Sequence, residues 1–487
     1  MAEHARVYLR LAAASIRSTA CRPAYLAART LAAALIVAIE VAGVVLMLDR
    51  FGSIGGWRPP EVLLLFGLAF TAQGLALVFG DTLEADKMSE LVRRGTFDQV
   101  LTRPVSPLGW VVASYVDTRF LGRMLAGAAT VVWAADRAGV AWTPGRAGLA
   151  ALAVACAAAI IFGVLLAAAG FTFVTVQGSE AVNVLIYGGQ YLASYPIQIY
   201  GSPLRFMFVW VVPIGLAIYV PALGVLGRQG PPGLPGWLAW LAAPVAGAFA
   251  APWRAGLAGR HPPLRRDRVV SPLIEVEGLR KRFRTRRGPV EAVAGIDFQV
   301  EAGEFVGYAG PNGAGKSTTV KMMSGILLPS EGRLEVLGLV PYRERKRLAR
   351  RMGVVFGQRT QLWWDLPLRE SFELVGHLYR VPAAERRARL RRLEEVLALG
   401  PLLAVPVRSL SLGQRMRAEL AAAVLPAPQV LFLDEPTIGL DVEAKAAVRD
   451  FLRELNRTEG TTVILTTHDL DDIALLCSRL MIIDTAG

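Results

Sequence analysis

Cysteine is nearly absent. Cys21, Cys156 and Cys477 are the three in 487 residues, they follow no metal-ligand spacing, and Cys156 lies inside an apolar run. A disulfide framework and a zinc site are thereby excluded. The first thirty residues contain no short apolar core followed by a small-residue cleavage site, so no removable signal peptide is expected. Lysine is rare beside arginine, and the formal charge of +13 reads as an Arg and Ala bias of composition, so no nucleic-acid partner is expected. What the chain has in abundance is apolar residues, 53% of the total, with a mean hydropathy of +0.42. A chain of this length exceeds one core, and this hydropathy points to membrane spans.

The apolar residues are unevenly placed. Up to residue 258 they form stretches of roughly 18 to 25 residues, each long enough to cross the hydrocarbon layer as a helix. The stretches 30–48, 61–80, 121–141, 148–175, 205–227 and 236–256 are the expected spans. The Pro- and Arg-rich linker 259–272 follows, and from 273 to 487 the apolar runs shorten to strand length. The predicted fold is an all-α membrane domain with about six transmembrane helices over 1–258, followed over 273–487 by an α/β domain with an α-helical subdomain, which the motif "GPNGAGKS" at 310–317 marks as an α/β P-loop NTPase domain. Arg6, Arg10, Arg17, Arg22 and Arg29 precede the first span, and Lys87, Arg93, Arg94 and Arg103 follow the second, which places both segments in the cytoplasm. The apolar segment 181–200 is read as a short or interfacial element, because a seventh span would put an ATP-using second half outside the cell.

Absences also mark the site. The stretch "RSLSLGQRMRAEL" (408–420) reads as a helix start with no Asp or Glu in its first turn. Such a start carries about half a positive charge and unpaired N–H groups, so an external anion is expected there. Upstream, "GPNGAGKS" runs from Gly310 to Ser317 between a predicted strand and a helix. Gly310, Pro311, Asn312, Gly313, Ala314 and Gly315 are expected to curl backbone N–H groups around phosphates, with Lys316 bringing a charge to the terminal phosphates, Ser317 joining Mg²⁺, and Thr318 following at the helix start. "VLFLDEP" (430–436) is a buried parallel strand ending in acids: Asp434 is expected on Mg²⁺ through water and Glu435 as the polarising base for the attacking water. His468, after the strand "VILTT", is expected on the γ-phosphate.

"GPNGAGKST", "GQRTQLWWDLP", "LSLGQ", "LFLDEPTIGLD" and "TTH" occur in the order and spacing of the nucleotide-binding domain of ABC transporters, which this half resembles. The resemblance implies further roles: Gln358 near Mg²⁺, Asp441 ending the D-loop, and Phe283 either stacked on adenine or packed in the core. It also implies that Ser411, Leu412, Gly413 and Gln414 form the signature, acting on ATP held by the opposite subunit. Leu412 departs from the glycine commonest there. The membrane half resembles the ABC-2 permease class, in its DUF990-like branch, on the "G-T-x-D-x-x-L-x-R-P" segment Gly95–Pro104, and its fusion to the ATPase makes one chain half of a machine.

Within that frame, 81–110 is the expected cytoplasmic element resting on the ATPase, through Leu91, Phe97, Val100 and Leu101, with Trp363, Trp364 and Leu366 as its apolar receptor. Glu40, mid-span, is a candidate site for a cationic or amphipathic substrate, against a structural hydrogen bond or a protonated acid. The Arg runs 342–351 and 385–395 read as solvated faces. The expected activity is ATP-driven transport, with ATP and Mg²⁺ as cofactors. Export of a lipophilic, drug-like or lipid-like compound is favoured; the alternatives are a mechanotransmitter acting on an envelope partner and an importer component. A second ABC half, the bilayer and a transported small molecule are the expected partners, in a multi-pass cell-membrane protein with its ATPase in the cytoplasm. The stop at "MIIDTAG" suggests an ATPase domain shortened at its C-terminus.

Overall fold

The computed structural model of the chain describes residues 2–173, 188–189, 191–229, 244–245, 247–248, 272–285, 288–311, 313–357 and 360–484. They fall into two compact units: Leu11–Arg94 with Leu108–Arg260, and Met1–Arg10 with Gly95–Pro107 and His261–Gly487.

The helices up to residue 173 are α1 (Ala2–Ala20), α2 (Pro23–Phe51), α3 (Pro59–Gly80), α4 (Ala85–Arg93), α5 (Thr96–Leu101), α6 (Pro107–Ser114), α7 (Phe120–Arg137) and α8 (Pro144–Thr172). Local chemistry sets their ends. Proline opens α2, α3 and α8 at a position where the missing N–H costs nothing, and Gly52, at φ 77, closes α2 in the left-handed region. At the start of α3 the Glu61 carboxylate accepts from the Arg58 N–H at 2.7 Å.

In the first unit α3 is buried along most of its length and packs on α7 through small residues. A Cβ on Gly67 would lie 2.8 Å from the Gly127 carbonyl oxygen, and one on Gly127 would lie 2.7 Å from the Thr71 nitrogen, so these backbones touch as close-packed membrane helices do. By contrast α2 shows Leu31, Leu35, Ile39 and Leu46 outward, an apolar face suited to lipid. Arg29 pairs with Asp117 at 3.2 Å, Arg119 pairs with Asp81 at 2.8 Å, and Lys87 also binds Asp81. Arg29, Lys87 and Arg119 thus gather at one end of the helices.

Among the described residues three helices, α2, α3 and α8, are long and apolar enough to cross a membrane, or four spans if the bent pair Ser202–Val211 and Ile214–Leu226 is counted as one. The 121–141 stretch forms α7, which carries Arg123, Asp136 and Arg137 and is not among them. The 205–227 stretch is broken: the pieces Ser202–Val211 and Ile214–Leu226 meet at 92°. Pro213, which has no N–H to continue a helix, stands at the break. The 236–256 stretch lies outside the described residues except for 244–245 and 247–248, and 181–200 is described only at 188–189 and from 191, where it holds the short turn Ile197–Ile199.

The second unit is built on two sheets. Strands β1 (Ile274–Thr285), β2 (Gly288–Val300) and β4 (Glu331–Val336) form an antiparallel sheet in the order β2-β1-β4. Strands β3 (Phe305–Ala309), β5 (Met352–Phe356), β6 (Val430–Asp434), β7 (Thr462–Thr466) and β8 (Arg479–Ile482) form a parallel sheet in the order β5-β6-β7-β3-β8. The central strands are buried on both faces, which is why they read as unbroken apolar runs. Phe356 pairs with Asp434 and Asp434 with Thr466, so β5, β6 and β7 end level. A helical layer over Leu368–Leu378, Ala383–Val396 and Leu412–Val424 packs around Phe372, Leu393, Val407, Met416 and Leu420.

Candidate functional site

Parallel strands that end level present their C-terminal edge as a ligand crevice. Here β3 runs into Gly310, β6 ends at Asp434, and β7 ends at Thr466, two residues before His468. The loop from β3 needs glycine. Gly313 and Gly315 sit at φ 88 and 95, and a Cβ on Gly315 would lie 2.3 Å from the Ala292 carbonyl oxygen. Lys316, 8% exposed, donates to the Gly310 and Pro311 carbonyls at 2.6 and 3.0 Å, which holds its ammonium across the mouth of the loop. Ser317 donates to Asp434 at 3.2 Å, and Thr466 also donates to that carboxylate. A carboxylate and hydroxyls converging at a strand end are hard oxygen donors of the kind Mg²⁺ selects, and the N–H-lined loop beside them fits a polyphosphate.

Glu435 and His468 meet: His468 Nε2 lies 3.0 Å from Glu435 Oε1, with both side chains open to solvent. Glu435 sits at φ 55, a left-handed conformation costly for a residue with a Cβ. Its N–H is held by the Thr466 carbonyl at 2.8 Å. Asp472, fully buried, fixes both arms of this pair. It accepts from Thr437, just beyond Glu435, from Thr467, just before His468, and from Arg449. Nothing in the local sequence marks Asp472 as distinct from the other acids of "DLDD".

Asn312 and Gln358 lie outside the described residues. Ala314 is buried in the loop, and Thr318 is half-buried on the helix Lys316–Met323. Phe283 is 36% exposed on β1, with the Lys281 ammonium 5.0 Å from its ring centre, so it is a surface ring and not a core one. Ser411 is the N-cap of the helix Leu412–Val424: its hydroxyl accepts from the Gln414 N–H at 3.2 Å while the Gln414 side chain accepts from the Ser411 N–H at 3.0 Å. No acid stands in that first turn, and the N–H groups of Leu412 and Gly413 remain at the open helix end. Among the described residues no hydrogen bond joins 411–414 to the Gly310–Ser317 loop of the same chain. Leu412 finds a place for its side chain over Gly439, where a Cβ would stand 3.0 Å from it. Asp441 caps the helix Val442–Glu459, accepting from the Ala444 N–H at 2.7 Å. Glu40, in the first unit, accepts from the Tyr191 hydroxyl at 3.3 Å.

The segment 95–107 sits in the second unit, where polar groups hold it. Arg345 donates to the carbonyl of Leu101, at the C-terminal end of α5 where a cation is favoured, and to those of Arg103 and Val105 in the turn that follows. Burial lowers this guanidinium to about 10. Asp98 pairs with Lys321 at 2.9 Å, and Arg103 donates to the Gln361 carbonyl at 2.7 Å with its guanidinium 5.2 Å from the Trp363 ring centre. One expectation is corrected here: Arg345 belongs to an Arg run read as solvated, yet it donates to these three carbonyls. Leu366 is fully buried, and Trp364 faces Arg415. Replacing Arg345 by Met should leave these carbonyls without their charge-assisted bonds. Thermolysin cleavage before Val100 and Leu101 is expected to accelerate at least about tenfold.

Glu419 also escaped the sequence reading. It is 2% exposed on the helix Leu412–Val424, and burial drives its carboxyl up to about 7 against hydrogen bonds from Thr360, Gln361 and Leu362 and the charge of Arg103. Its sequence signal was an acid in register with Met416 and Leu420, on the face that packs inward. A carboxyl raised on folding is protonated in both states below its ordinary value of 4.5, so it costs nothing there. The cost grows as pH rises through that value and is complete above about 7. Between pH 4.5 and 8 the native unit should therefore lose roughly 3 kcal/mol relative to Glu419→Gln, read as diverging thermal midpoints.

Comparison with known proteins agrees with this geometry. Residues 34–258 match the model of the ABC-2 family transporter protein, and residues 293–438 match that of the ABC transporter. Among curated relatives, the Nod factor export ATP-binding protein I of Ralstonia nicotianae is 38% identical over 214 residues, covering 44% of this chain and 65% of that protein. A daunorubicin resistance ATP-binding protein of Streptomyces coeruleorubidus is 41% identical over 211 residues, 43% of this chain and 65% of its own length. The chain thus spans just under two thirds of each. The ABC transporter ATP-binding protein NatA of Bacillus subtilis is 30% identical over 43% of this chain and 85% of its own. The nucleotide loop, the paired Glu435 and His468, and these matches agree: the chain belongs to the ABC transporter family, and in it an ABC-2 membrane domain is joined to an ABC ATPase domain.

Proposed function

We propose that the chain is one half of an ATP-driven exporter of lipophilic, drug-like or lipid-like compounds, multi-pass in the cell membrane with its ATPase in the cytoplasm. The observation that carries this is the lodging of the membrane-domain segment 95–107 on the ATPase by Arg345, Arg103 and Asp98. An ATPase built to move membrane helices needs such an attachment. The export and resistance roles in the names of the relatives support the direction and the substrate class.

In this reading the loop Gly310–Gly315 and Lys316 hold the triphosphate, and Ser317 and Asp434, with Gln358, hold Mg²⁺. The ion would neutralise phosphate charge. Glu435 orients and polarises the attacking water, and His468, 3.0 Å from it, steadies the carboxylate and faces the γ-phosphate. The open helix start at Ser411 takes the γ-phosphate of ATP bound to a second copy or a companion half. Closure of two ATPase domains over two nucleotides would move 95–107, and hydrolysis would release them. Phe283, a surface ring, is free to stack on adenine.

Inside-out vesicles carrying the chain test the proposal with a panel of lipophilic cations and lipids. ATP-dependent accumulation of at least one compound is expected for the native chain and not for Glu435→Gln; equal accumulation by both would remove pumping. Glu40, bonded to Tyr191, is proposed to face the substrate, and Glu40→Gln is expected to lower accumulation of cations while leaving neutral lipids unaffected.

A further inference from the structure

Glu419 lies outside the nucleotide loop, yet it bonds directly to the loop 360–361 and, through Gln361, is one hydrogen bond away from the segment 95–107. It belongs to the helix Leu412–Val424, about two turns beyond Ser411. Its carboxylate accepts from the Thr360 hydroxyl and from the Gln361 N–H, the latter at 3.0 and 3.1 Å to its two oxygens. Gln361 in turn reaches both ways: its side chain donates to the Val354 carbonyl on β5, and its own carbonyl accepts from Arg103 of the membrane-domain segment at 2.7 Å. Arg103 also acts on Glu419 by its charge.

A carboxyl buried this deeply is tolerated only where its partners are fixed, so helix, loop and segment cannot separate without leaving a buried charge or an unmet acceptor. They are thereby tied in series, while the other end of the same helix carries the signature serine. We infer that Glu419 is the joint through which the helix bearing Ser411 moves the segment 95–107 when nucleotide is gripped. Glu419 touches no nucleotide: it is a positioning residue. The inference rests on the transport reading given above, in which that segment conveys ATPase closure to the membrane.

The test is hydrogen exchange of amides 95–107 in the full chain, in nanodiscs, with turnover blocked by Glu435→Gln, with and without Mg²⁺ and ATP. In that parent, ATP is expected to slow exchange of the segment by about fivefold or more. Adding Glu419→Ala should bring the ratio to about one, with binding of a fluorescent ATP analogue unchanged, a combination that merely local loosening would not produce. Glu419→Gln keeps a carbonyl for Thr360 and Gln361 but no charge toward Arg103, and should give an intermediate ratio. An undiminished response in Glu419→Ala overturns the inference and leaves the transport reading standing. No response in the parent overturns the transport reading itself. Should Glu419→Ala fail to fold, Glu419→Gln decides alone: a full response contradicts the joint, and a reduced one supports it.

Discussion

Glu435→Gln should reduce ATP hydrolysis at least about a thousandfold while leaving ATP binding intact. The reason lies in the difference between the two acids at the end of β6. Asp434 is tied to Ser317 and Thr466, so its oxygens are committed to the side of the nucleotide loop where Mg²⁺ would stand. Glu435, one residue on and turned by its left-handed backbone, points instead at His468 and solvent, where a water can be held. Glutamine keeps the shape and the hydrogen bond to His468 but cannot take a proton. The expected product is a chain that binds ATP and stays closed on it. Single-turnover hydrolysis and retention of radiolabelled ATP measure both halves of the result; retained ATP with undiminished hydrolysis would show that the base is elsewhere.

Ser411→Asp should abolish hydrolysis nearly as completely by a different route. Asp is as good an N-cap as Ser, so the capping box with Gln414 and the helix Leu412–Val424 survive. What changes is the charge: a carboxylate now occupies the position that the open N–H groups of Leu412 and Gly413 leave for an anion, and it repels a γ-phosphate. Hydrolysis is expected to fall by about 100-fold or more, with ATP affinity of the chain's own glycine loop unchanged. Ser411→Thr, another N-cap without charge, should retain most activity. Equal losses in the two variants would show that the added charge is not the cause.

The parts of this protein that were legible in its sequence are those in which local geometry dictates residue type. Gly315 cannot carry a Cβ against the Ala292 carbonyl, Ser411 caps its own helix, and β6 is buried on both faces, so each leaves a pattern within a few residues. The residues that were missed owe their roles to distant partners. Arg345 looks like any arginine of a charged run until the end of α5 and the turn after it place three carbonyls beside it, and Asp472 looks like its neighbours until Thr437 and Thr467 arrive from two other loops. In the membrane half, apolar length alone does not show that the 205–227 stretch bends by 92° at Pro213.

The central claim is that each nucleotide is held by the glycine loop of one copy and the signature helix of another. Co-expression of two inactive chains, Lys316→Ala and Ser411→Asp, tests it most directly. If sites are shared between copies, a mixed pair contains one site with both lesions and one site with neither. Statistical mixing then restores up to about a quarter of native ATPase activity from two chains that have none alone. If each chain completes its own site, every site carries a lesion, and a purified mixed pair that hydrolyses no more ATP than either variant would contradict the account.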